Sequence, residues 1–164
     1  MKKRLLLAGL ILIAPVMMAA ADTPVAPNGI ALYPEYMSWK VVAPSYREDK
    51  DHIRVITGNE TAVTALRAGK NPLPDGSVLA KVAFQTEKHP SFPAATVPGA
   101  FVQVEFMVKD AKKYKETGGW GFARFVGKEL KPYGKDANFV SECFRCHLPV
   151  ADNDYLFTKI VKAP

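Results

Sequence analysis

The sequence predicts an α+β domain: a mainly antiparallel β-sheet with a few short helices. Three observations lead there. "VLAKVAFQ" (78–85) and "FVQVEFMV" (101–108) have the two-residue period of strands. Glycine and proline interrupt the chain too often for long helices. One stretch, "NETAVTALRAGK" (59–70), combines a helical spacing of apolar residues with a start signal, Asn59 as cap and Glu60 in the first turn.

The elements follow in order. "MKKRLLLAGLILIAPVMMAAAD" has a basic start (Lys2, Lys3, Arg4), an apolar run (Leu5–Met18) and a small-residue site, Ala19–Ala21. It reads as a signal peptide over 1–21, cleaved before Asp22, which leaves 22–164 as a single domain. The competing reading is a retained membrane anchor, but the run is short and broken by Gly9 and Pro15. Without the leader's three cations the formal net charge falls from +6 to +3. No basic block is interleaved with aromatics, so no nucleic-acid partner is expected.

Residues 22–34 are proline-rich and extended, and 35–44 form a short helix or turn with Trp39 packed inward. A strand follows at 53–57, then the helix at 59–70 and a turn at 71–77. In the strand 78–85, Val78, Ala80, Val82 and Phe84 share one face, and Leu79, Lys81, Ala83 and Gln85 the other. The stretch 86–100, with three prolines, reads as a long loop. Strands at 101–108 and 119–127 flank a helical turn at 110–116. A turn-like stretch at 131–139 leads to the cysteines, and 154–160 forms a terminal strand or helix against the core.

The two cysteines stand in "ECFRCH" (142–147). A disulfide between them would close a very small loop and add little stability. A redox dithiol of the C-x-x-C kind belongs after a strand in a βαβ unit, near the start of its fold, whereas this pair comes late. A zinc site would need a fourth ligand, His52 or His89, and would ask adjacent Cys146 and His147 to serve one small ion. Covalent haem c uses every element: Cys143 and Cys146 as thioethers to the vinyl groups, and His147 as the iron ligand. Beyond His147 there is no methionine. Met107, in a predicted strand, reads as core packing rather than as a sixth ligand. Such an iron could bind a small molecule.

Three blocks, "LPDGSVLAKVAF", "VEFMVKDAKKYKETGGWGFARF" and "ECFRCHLPVADNDYLFTKI", resemble in this order the cytochrome P460 family, which includes the beta-sheet cytochromes c prime. The resemblance runs from about Tyr33 to Ile160. It implies a periplasmic monohaem protein, usually a homodimer, with an antiparallel sheet and C-terminal haem attachment. It also implies one of two functions. In one branch a lysine is bonded to the haem macrocycle and hydroxylamine is oxidised; in the other a five-coordinate haem binds nitric oxide or carbon monoxide beneath aromatic residues.

The resemblance places the crosslinking lysine at Lys81, and a plain snorkelling lysine is the alternative. It also implies a distal glutamate shortly before the haem cysteines. Here that region offers Glu142, next to Cys143, beside Asn138 and Phe139. With Asn138 or Phe139 in the distal place, proton transfer loses its group and gas binding gains. Distal aromatic candidates are Phe84, Phe92 and Phe101, with Phe92 held between prolines. Arg124 is a candidate for a haem propionate, or for a surface ion pair. The leading expectation is a five-coordinate haem that binds a gaseous or nitrogenous ligand. The alternative is hydroxylamine oxidation with electrons passed to a periplasmic cytochrome; whether the chain is an enzyme stays open. A pure electron carrier is disfavoured by the missing sixth ligand.

Overall fold

The computed structural model describes residues 22–161, so the expected leader lies outside the described residues. Six strands, β1 (Lys40–Arg47), β2 (His52–Gly58), β3 (Val78–His89), β4 (Phe92–Lys109), β5 (Trp120–Val126) and β6 (Lys131–Pro132), form one sheet. Every neighbour is the next strand in the chain and every pairing is antiparallel. The α+β expectation holds. Helix α1 (Glu60–Arg67) crosses from β2 to β3, and α2 (Val140–His147) follows β6.

Asn59 caps α1 as expected, its side chain accepting from Ala62 N at 3.0 Å. The same oxygen accepts from Val78 N at 3.1 Å, and the amide donates to Gly76 O at 2.8 Å. One side chain thus ties the helix start to the first residue of β3.

The alternation in β3 divides the molecule into two apolar layers. Val78, Ala80 and Val82 join Val104, Phe106 and Phe125 on one face, under the N-terminal segment that supplies Ile30, Leu32 and Tyr36. Phe106 is 1 % exposed and contacts the rings of Tyr33, Tyr36, Trp39 and Phe125. On the other face Leu79 packs with Val42, Ile56, Trp120 and Phe122, beneath Ala62 and Val63 of α1. The polar members of that face, Lys81 and its cross-strand neighbours, lie on the α2 side.

Three expectations are corrected. The short helix or turn expected over 35–44 ends at Ser38, and the sheet's first strand begins at Lys40. Residues 86–100 are not a loop: β3 and β4 continue through them as a two-stranded ribbon closed by Pro90-Ser91. The ribbon extends beyond the residues paired with β2 and β5, so prolines on it face no third strand. The segment 154–160 is neither strand nor helix; it is held by the buried Leu156 and by single hydrogen bonds.

Candidate functional site

Helix α2 is two turns long and carries Cys143, Cys146 and His147 at spacings that share one face. Preceding it, Asp136 accepts from Asn138 N at 2.8 Å and caps a 3-10 turn that aims the helix across the sheet. Cys143 is half-buried and Cys146 exposed, and burial pushes the Cys143 thiol up from its ordinary value.

His147 is the most constrained of the three. Its Nδ1 lies 2.6 Å from the carbonyl oxygen of Tyr155. A carbonyl only accepts, so Nδ1 carries the proton and Nε2 keeps its lone pair. The ring sits between Phe122 and Phe157, with centroid separations of 5.4 and 5.0 Å. Burial, aided by the Lys81 charge, holds its pKa below the ordinary value, and the Tyr155 bond opposes this. The imidazole is therefore kept neutral, the form that ligates metals.

All three residues open on a cavity of about 720 Å³ between α2 and the sheet. That is within the range of cofactor sites. Leu79, Met107 and Phe122 give it apolar walls, and Leu156 closes one side. Its floor also carries charge. Ile56, Lys81, Glu105 and Arg124 form one row across β2, β3, β4 and β5. Lys81 Nζ pairs with Glu105 Oε2, and Arg124 Nε donates to Glu105 Oε1 at 2.9 Å. Gln103 donates to the same oxygen at 3.1 Å. Burial would raise the Glu105 pKa, but the two cations outweigh it and hold the carboxyl below its usual range.

The row continues outward: the Arg124 guanidinium lies 4.3 Å from the Tyr133 ring centroid, and Tyr133 OH bonds Glu142 at 3.2 Å. Beside the row, Arg54 lines the cavity with its buried Nε unpartnered. Burial pushes its pKa down, and the nearby Arg47 charge adds to this.

The structure thus brings together Lys81, Arg124, Cys143, Cys146 and His147 on one cavity. It does not bring in Phe92, which stands 60 % exposed at the ribbon's turn. Phe84 and Phe101 pack against each other and on the layer behind the sheet. Glu142 reaches only the exposed rim. The carboxylate on the cavity floor is the half-buried Glu105, which the reading of the sequence missed. Its signal is a glutamate alternating into an otherwise apolar strand, in register with a lysine that does the same. Met107 is half-buried and lines the same cavity.

A neutral, oriented imidazole beside two thiols, on a cavity with apolar walls and a charged row on its floor, fits a haem-binding protein. The family profile described as Cytochrome P460 matches residues 34–158, and the chain belongs to that family. No curated protein matches the chain. The residues present fit a haem: Cys143 and Cys146 can supply thioethers, and His147 Nε2 a metal ligand. The unpartnered Arg54 Nε is a donor available to a carboxylate-bearing group.

Proposed function

We propose that this protein is an exported c-type cytochrome with one haem per chain that oxidises hydroxylamine or a similar small nitrogen compound. Cys143 and Cys146 anchor the haem and His147 is its protein ligand. The observation that carries this reading is Glu105, a half-buried carboxylate in the charged row of the cavity. Oxidising hydroxylamine to nitric oxide removes protons and electrons in equal number, so the site needs a base as well as an electron acceptor. A bound haem would supply a redox-active iron. Glu105 takes up one proton at a time and releases it to solvent, Lys81 and Arg124 hold it in place, and the apolar walls line the rest of the site. The electrons leave to a periplasmic cytochrome. A lysine nitrogen bonded to the haem ring would no longer carry an ammonium charge, and Glu105 would then become a stronger base.

A second reading has support of its own. The walls formed by Leu79, Met107, Phe122 and Leu156 suit a neutral diatomic such as nitric oxide.

One set of measurements tests both. Purified protein is mixed with hydroxylamine and an oxidised c-type cytochrome, and its ferrous spectrum and tryptic haem peptides are recorded. Acceptor reduction, a red-shifted Soret band and a peptide joining Lys81 to haem support the oxidase. Nitric oxide binding without acceptor reduction, with an ordinary high-spin spectrum, supports the gas binder. An intact mass without covalent haem overturns both.

A further inference from the structure

The blocks "KDAK" and "GGWGF" meet across the β4–β5 pair, and "DYLFT", much later in the chain, converges on them in the fold. Lys109 ends β4, Trp120 opens β5, and Asp154 follows the 3-10 segment Leu148–Asn153. All three are buried. Asp154 Oδ1 accepts from Lys109 Nζ at 2.5 Å and from Trp120 Nε1 at 3.2 Å, and Oδ2 accepts from Leu73 N at 2.8 Å. Lys109 Nζ also lies 4.8 Å from the Trp120 ring centroid.

An ion pair so far from water adds little net stability, because desolvation offsets the attraction. Its geometry indicates another role. Asp154 and the next residue, Tyr155, have φ of 50° and 63°, the left-handed region that side chains disfavour. Strain of this kind persists only where surrounding contacts over-determine it. Here Asp154 has three donors on its carboxylate. Tyr155 is wedged over Gly118, where a Cβ would come within 2.1 Å of the tyrosine ring, and rests on Phe144 at 5.5 Å between centroids. The two left-handed residues turn the chain back so that the Tyr155 carbonyl meets His147 Nδ1.

We propose that Asp154, clamped by Lys109 and Trp120, is a positioning residue for His147: it holds the Tyr155 carbonyl as acceptor for the Nδ1 proton and thereby sets how strongly Nε2 donates. This rests on the reading of His147 as the iron's protein ligand. An imidazole whose N–H is drawn to an acceptor is the more basic ligand and favours the oxidised metal. Loosening the carbonyl weakens that donation.

The test uses haem-loaded Asp154→Asn and Trp120→Phe, with Lys40→Ala, which breaks the exposed Lys40–Glu60 pair, as control. The iron–histidine stretching band of the ferrous protein and the midpoint potential are measured. In both test variants the band moves to lower frequency and the potential becomes more positive, while the control stays at the wild-type values. If Asp154→Asn fails to accumulate, Trp120→Phe decides, since it keeps the Lys109–Asp154 pair and removes one clamping donor. A band lost in His147→Ala but unmoved in the test variants overturns the clamp and leaves the ligand reading intact. A band that survives His147→Ala overturns the ligand reading, and the clamp with it.

Discussion

Glu105 and Arg124 face each other across the β4–β5 pair, and Arg124 Nε donates to Glu105 Oε1 at 2.9 Å. With Lys81 on the opposite flank, the carboxylate lies between two cations on the cavity floor. Glu105→Gln keeps the shape and removes the base. Hydroxylamine oxidation then falls about 10²–10⁴-fold, the usual worth of a positioned base. Steady-state turnover at unchanged haem content checks this; an undiminished rate would remove Glu105 from the mechanism.

The same residue sets a pH dependence. Its folded-state pKa lies below the unfolded one, because Lys81 and Arg124 outweigh burial. The stabilisation is fully present above the unfolded value of about 4.3. It is lost as pH falls through the lower folded-state value. Urea unfolding at descending pH should therefore show wild type losing more stability in acid than Glu105→Gln.

Attachment through two thiols has a graded signature. Cys143→Ala and Cys146→Ala each retain haem through the remaining thioether in part of the sample, and the double variant retains none. Intact mass under denaturing conditions distinguishes the three. Haem mass persisting on the double variant would mean the cysteines are not the anchor.

Lys109→Met leaves Asp154 as an uncompensated buried carboxylate, at a cost of about 3–5 kcal/mol. The double variant Lys109→Met/Asp154→Asn loses less, because no lone charge is left in the interior. Denaturant midpoints of the two variants provide the comparison.

Asn59→Ala removes the cap of α1 together with the bonds to Val78 N and Gly76 O. The expected cost is about 1–2 kcal/mol. A thermal melt suffices to measure it.

The fold was legible where side chains report their own burial. The alternation of 78–85 assigned both layers correctly, since each face of β3 meets a different core. Asn59 announced its helix because capping is local. The ribbon at 86–100 was misread because prolines break a strand only where a neighbour needs the missing N–H, and no third strand flanks it. In the site, "ECFRCH" could be read from residue type and spacing, whereas Lys81 came from the resemblance to a family. Glu105 could not, because its meaning depends on standing opposite Lys81 and Arg124, which is a matter of pairing register. Phe92 looked enclosed by its prolines, yet those prolines shape a ribbon end that carries it away from the cavity.

The row Ile56–Lys81–Glu105–Arg124 has a consequence for folding fidelity. A meander of strands joined end to end has little in its connections to forbid a slip of one residue. In β4 such a slip would turn Glu105 into the layer occupied by Val104 and Phe106, burying a carboxylate without a cation. The charges that equip the cavity thus also proofread the sheet: a chain that pairs its strands out of step loses its ion pairs before it ever meets a cofactor.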